Sequence, residues 1–439
     1  MNSIINALES LHHFLTNRDF NQLSVIVEAT LSMTGRVTML GISRWTEDGG
    51  SYRTIQRFFG KPHDWAKLRW ALIKGQLSAL SGTWIVAGDE VTVTKSGKDT
   101  FGLGRFFSSI QNQVVSGLCF LNISLIHVES RTSLPLVTEQ LVRAEAKETA
   151  PKAPAKPKSE TRKAGRPKGT KNKNRTEVVL SAFQLQLQLC IRMALNLVLG
   201  SIPISYFVYD GALGTNGGLQ LVKQIGLHLI SKLRHTSALY FPYLGDYSGK
   251  GKPKKYGQKF SLDSLTDEQI CHKETEGNMH TRIYQLQLWH KKFPELLNVV
   301  VMAKTNLTNG KTAKVLLFSD DLELSFDNLI DYYRLRFQIE FNFRDAKQHW
   351  GLEDFMNVKE TQVNNAANFS MFMVTFSQIV LPQLQHLNIQ SMLDLKTVFR
   401  SRKYTRRIIN SLGINANEFL IDDQIFEAAE LGRIHAKAA

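Results

Sequence analysis

The chain has 439 residues, 43% of them apolar and 21% charged, which suits two or three core-forming domains and excludes a wholly disordered or fibrous protein. Fifty-four Lys and Arg stand against 39 Asp and Glu, for a net charge of +15 and a pI of about 9.6. Such an excess points to a polyanionic partner, with nucleic acid the leading candidate. In chain order, residues 1–80 place apolar side chains at helical spacing (Leu23, Val25, Ile26, Ala29, Leu31), break at EDGGS and resume as the basic, aromatic SYRTIQRFFG. This predicts a small helical bundle. It is either a packing domain or one that recognises DNA through Arg44, Arg53 and Arg57, and no helix-turn-helix is assigned.

From Thr83 the text TWIVAG predicts a buried strand ending at Asp89, FGLGRFFSSI a connecting loop, and residues 114–128 one or two further strands of the same sheet. Residues 143–175 hold twelve Lys or Arg against three Glu, with Pro and Ala but almost no apolar bulk, and read as a basic linker unable to fold alone. Within it Gly165, Arg166 and Pro167 resemble the GRP core of an AT-hook, which lays Arg166 into a narrow A·T minor groove; the plainer reading is a solvated tether with nonspecific phosphate affinity.

Residues 178–198 predict a helix on length, although FQLQLQL alternates. Gln184, Gln186, Gln188 and Arg192 interrupt this apolar region, so no membrane span is expected. The start MNSIINALESLHHFL lacks a basic flank before an apolar core, and Cys119, Cys190 and Cys271 lie too far apart for a disulfide framework or a Cys-x2-Cys site. A reducing, cytoplasmic location follows as the expectation. ISYFVY then predicts a strand running into Asp210, followed by glycine turns and a second amphipathic helix through LHLISKL. Residues 241–317 open basic and turn-rich and continue as strands (TRIYQLQLW, LLNVVVMAK, KTAKVLLFS); beyond Trp350 come a buried helix and the basic amphipathic FRSRKYTRRIINSLG.

Between them lies DYYRLRFQIEFNFRDAKQHW. On one helix Tyr333, Arg336, Glu340 and Lys347 fall at about 0°, 300°, 340° and 320°, a fan about 60° wide and some 21 Å long. Arg and Lys pair with phosphate and a carboxylate holds hard cations, so the stripe suits a DNA-backbone track; a solvated surface face is the bland alternative. With Asp89 and Asp210 at strand ends, Glu340 completes three carboxylates, enough for two divalent ions and an in-line phosphoryl displacement. Strand-ending Asp residues also cap helices and form turns. Asp320 and Asp321 rank lower for want of a glycine turn, and Glu90, Asp331 and Asp345 fall on other faces.

The order Asp89, Asp210, Glu340, with Y-x2-R-x3-E-x6-K around the last, is similar to the DDE transposases of bacterial insertion sequences, specifically the insertion-sequence-four family. Four residue types at fixed offsets would arise by chance on the order of 0.003 times in a chain this long. The resemblance implies an α/β fold: a ribonuclease H-like catalytic core over 81–142, 176–240 and 318–375, a strand-rich insertion over 241–317, a helical DNA-binding domain over 1–80 and a helical C-terminal region over 376–439. It implies Asp89, Asp210 and Glu340 as catalytic ligands of two Mg2+ ions, for which Mn2+ can substitute, and Tyr333, Arg336 and Lys347 as phosphate contacts. Trp289 is the implied platform for a flipped base. The implied activity is end cleavage through a hairpin and strand transfer, by a homodimer pairing the element's terminal inverted repeats with target DNA in the bacterial nucleoid. Gly211 and Ala212 depart from the Arg and Glu that some members carry after the second Asp. The rivals are a catalytically silent, transposase-derived DNA-binding protein and a nonspecific nuclease.

Overall fold

A computed structural model describes residues 8–46, 49–77, 81–108, 111–143, 174–247, 249, 251–412, 424, 427–430 and 433. It is a mixed α/β protein that divides into two compact units, Met1–Gln140 with Leu187–Tyr209 and Asp331–Ala439, and Leu141–Gln186 with Asp210–Ile330. No helix among the described residues is long and apolar enough to cross a membrane.

The first unit opens with helices α1 (Asn17–Ser32), α2 (Met39–Trp45), α3 (Tyr52–Phe59) and α4 (Trp65–Lys74), whose N-cap residues Thr16, Thr38, Ser51 and Asp64 each accept an early backbone N–H. Strands β1 (Trp84–Thr94), β2 (Gly104–Ser108), β3 (Gln113–His127) and β4 (Thr132–Gln140) follow. β1 lies antiparallel to β3, which in turn takes β2 and β4 antiparallel. After α5 (Ala182–Val198), β5 (Ile204–Val208) joins β1 in parallel, with Ala87 opposite Val208. The unit closes with the last turn of α7 (Phe326–Leu335), then α8 (Gln338–Gln348), α9 (Glu360–Leu384) and α10 (Met392–Ser411). α9 is the core helix: Phe369, Phe372 and Phe376 are fully buried, and it packs on α4, α8 and β4. Arg69 of α4 is buried with them, its guanidinium donating to the Leu136 carbonyl at 2.9 Å and to Asn368 Oδ1 at 2.8 Å. Those bonds satisfy donors that would otherwise be costly to bury.

In the second unit a 3₁₀ turn and α6 (Asn216–Lys223) lead to β6 (His228–Leu233), β7 (Leu239–Pro242), β8 (Tyr256–Lys259), β9 (Ile270–Glu276), β10 (Met279–His290), β11 (Leu296–Asn306) and β12 (Thr312–Ser319). β6, β12, β11, β10, β7 and β8 are neighbours in that order, all antiparallel, and β9 pairs with β10. β11 is buried along most of its length, as its run LLNVVVMA requires.

Four local expectations need correction. β1 does not end at Asp89; it continues to Thr94, because Val91 and Val93 alternate inward and Gly117 lets β3 approach Val93 closely. The supposed loop FGLGRFFSS contains β2, with Phe106 buried and Phe107 exposed in strand alternation. LHLISKL is β6 and not helix, since Gly226 at φ +79° stops α6. The signature stretch is not one continuous helix, because Arg336 and Phe337 form a turn between α7 and α8.

Candidate active site

That turn has a simple backbone origin. Phe337, Ile339 and Glu340 donate to the carbonyls of Arg334, Arg336 and Phe337, each three residues back at 3.0 Å, instead of the α-helical four. Each residue so bonded advances the chain by about 120° where the α-helix takes about 100°, so α7 and α8 do not share one continuous helical phase. α8 then buries Ile339, Asn342, Phe343 and Ala346 against β1 and β4. Asn342 fixes its seat: its amide donates to Ser133 Oγ of β4 at 2.9 Å and its oxygen accepts from Gln378 of α9 at 2.8 Å.

This docking brings Glu340 and Asp89 to one cation. Asp89 stands opposite Asn122 in the β1–β3 ladder, and its Oδ1 accepts the Glu90 N–H at 2.9 Å. Its Oδ2 accepts from Arg336 Nη1, while Arg336 Nη2 lies 3.6 Å from Glu340 Oε1. Arg336 and Asp89 are only 15% and 18% exposed and Glu340 46%, so the first pair is strengthened by low local polarity and the second is largely solvated. Arg336 Nε is buried without a hydrogen-bond partner among the described residues.

Lys347 also points at β1, donating to the Thr92 carbonyl at 3.1 Å, and pairs with Glu353 at 2.7 Å. Tyr333 is half-buried on α7 and engaged by neighbours. Asp210 opens the second unit, where its Oδ1 caps the 3₁₀ turn Gly211–Leu213 through the Ala212 N–H at 2.9 Å and its carbonyl accepts from Ser231 Oγ at 2.6 Å. Trp289, also in the second unit, is half-buried, with Lys255 Nζ 3.4 Å from its ring centroid and Tyr256 edge-on at 6.5 Å. Arg166 lies outside the described residues. The structure thus joins Asp89, Arg336 and Glu340 directly within one unit. Among the described residues no group of three or more His, Cys, Asp or Glu side chains is arranged to hold a metal ion.

The lower-ranked carboxylates have structural partners: Asp320 accepts the Leu229 N–H at 2.8 Å, Asp331 pairs with Arg131 at 2.9 Å, and Asp345 with Arg344 at 3.2 Å. Sequence reasoning missed Tyr209, whose hydroxyl donates to Glu90 Oε1 at 2.8 Å, and Glu353 beside Lys347. No local pattern signals either contact.

A family model described as DDE superfamily endonuclease matches residues 10–292, more than half of the chain. The protein belongs to the DDE superfamily endonucleases. The matched stretch of this endonuclease contains Asp89 and Asp210 and ends before Glu340. A comparison with curated proteins gives no match. Among solved structures, the endonuclease is similar to the piggyBac transposase synaptic complex with hairpin DNA, seen by cryo-EM, at 10% identity and a TM-score of 0.38 over 94% of this chain and 76% of that one.

Proposed function

We propose that the protein is a DDE transposase of the insertion-sequence-four type, with a ribonuclease H-like core, that cuts the ends of its element and joins them to target DNA. The observation that carries this reading is the Arg336 guanidinium shared by Asp89 and Glu340, carboxylates 251 positions apart that only the fold can bring to one charge. The strand order supports it too: the antiparallel β3 flanks β1 on one side and the parallel β5 on the other. Asp210 follows Val208 by two residues as Asp89 follows Ala87, and Ala87 and Val208 are register partners.

The donor chemistry suits a hard divalent cation, since carboxylate oxygens from a strand and a helix already face a common positive charge. Asp89, Asp210 and Glu340 would hold two Mg2+ ions, with Mn2+ able to substitute. When bound, such ions neutralise charge on the attacking and leaving oxygens of a phosphoryl transfer. The chain's own part is positional. Arg336 holds Asp89 and Glu340 in place until the DNA backbone arrives, and its guanidinium fork can then pair with a phosphate. Lys347 steadies the far end of α8 on β1 and offers a second phosphate contact. A hairpin route, a homodimeric synaptic complex and minor-groove contact by Arg166 complete the proposal.

The test is a supercoiled plasmid carrying the element ends, incubated with purified protein and Mg2+. Nicks and hairpins at the ends support the transposase. End binding with no cuts supports the silent DNA-binding protein, and cuts independent of the ends indicate a nonspecific nuclease. Glu340→Gln should reduce cleavage by several orders of magnitude and leave end binding within about twofold, because it removes a charged oxygen and no phosphate contact. Normal cutting by that variant would overturn the assignment.

A further inference from the structure

We propose that α3 reads DNA sequence, lying in the major groove of a duplex with Arg53, Gln56 and Arg57 facing base edges; the inference deepens the transposase reading by naming the surface that finds the ends. α2 and α3 pack on each other across a connection that turns at Gly49, φ +77°. α3 is strongly two-faced. Ile55, Phe58 and Phe59 are buried, while Tyr52, Arg53, Gln56 and Arg57 are exposed within little more than one turn. The inner face is anchored: Phe59 meets Phe369 edge-on at 5.7 Å, and the Phe59 carbonyl accepts from Asn365 at 2.7 Å. A rigid helix with a fixed outer face is what base reading requires.

The outer face is also uncommitted. Neither α2 nor α3 contains an acidic residue, and the side chains of Arg53, Gln56 and Arg57 make no hydrogen bond or ion pair with a described residue. Elsewhere in this unit Arg36, Arg69, Arg131 and Arg336 are all held by carboxylates, amides or carbonyls. The residue types choose the occupant. Arg forks onto the O6 and N7 of guanine and Gln onto the N6 and N7 of adenine, patterns offered together only in a major groove, which at about 12 Å admits a helix. A-form RNA keeps that groove deep and narrow, so duplex DNA is the partner. Arg44, exposed in the last turn of α2, the helix packed on α3, would serve as a phosphate contact.

The test is selection from a random duplex pool by the full chain in EDTA, so that binding is read without cleavage. Wild type should enrich one short shared motif. Gln56→Ala should flatten the preference at one adenine and weaken the best site about tenfold, Gln56→Glu should shift that position towards cytosine, and Arg53→Ala with Arg57→Ala should erase guanine preferences. Arg44→Ala should weaken all duplexes alike and lower the salt dependence by about one counterion. The Gln56→Glu shift cannot come from misfolding. No enriched motif, a motif unchanged in Gln56→Ala and Gln56→Glu, or equal competition by duplex RNA would overturn the proposal. A motif read normally by a chain that never cuts would instead remove only the catalytic reading.

Discussion

At the scale of single residues, Arg336 decides what Asp89 and Glu340 experience. Its removal leaves two carboxylates facing each other with their shared cation gone, one of them mostly buried. Arg336→Ala should therefore lose about 1–3 kcal/mol of stability. Millimolar Mg2+ should restore part of the lost melting temperature in that variant and raise wild type less, since the free carboxylates then have a cation to gather. A variant melting point indifferent to Mg2+ would argue against a cation site there. The pattern Y-x2-R-x3-E-x6-K made Glu340 a candidate in the sequence, and a strand-borne acid made Asp89 another. The bond between Arg336 and Asp89 was not legible, because it spans 247 positions and depends on where α8 comes to rest on β1. Trp289 shows the same limit: period-two alternation put it on one face of β10, but only the fold reveals Lys255 lying over its ring.

At the scale of elements, what was legible followed periodicity and what was not followed backbone bonding. α5, β5, β10, β11 and α9 could be read because their apolar runs have one dominant period. β1 was cut short at Asp89 because a charged pair interrupts an alternation that VTVT then resumes, and the α7–α8 turn was invisible because three-residue hydrogen bonds change no side-chain type. The end of α8 depends on Gly351. Its φ of +81° disfavours any side chain, and a Cβ there would collide with Val37, while Leu352 N–H reaches back to the Ala346 carbonyl at 2.9 Å. Gly351→Ala should lower stability by more than about 1 kcal/mol and reduce cleavage along with it, read by urea unfolding and the plasmid assay. A variant as stable and active as wild type would show that this turn does not hold α8 in place.

At the scale of the whole molecule, pH acts through groups that the fold keeps neutral. Burial, and then the nearby positive charges of Lys292 and Arg175, push His290 down to about 4; its Nδ1 accepts the Lys292 N–H at 3.0 Å, which protonation would end. An unfolded chain takes up this proton near pH 6.5 and the folded one only near 4, so within that window the unfolded state binds more protons and folding weakens as pH falls. Urea unfolding at pH 7 and 4.5 should show a loss that His290→Asn reduces by roughly 1–2 kcal/mol, and an equal loss in both proteins would absolve this imidazole. Finally, the segment entering α2 is stitched to the turn that closes α8: Val37 N–H donates to Asp354 at 2.9 Å, Arg36 pairs with the same carboxylate at 3.5 Å, and Val37 fills the space above Gly351. The amino-terminal helices and the α8 platform are therefore not interchangeable cassettes. Grafting the amino-terminal helices of another DDE endonuclease onto this body would import a strap cut for a different buckle, and a working chimera would have to carry both halves of the fastening.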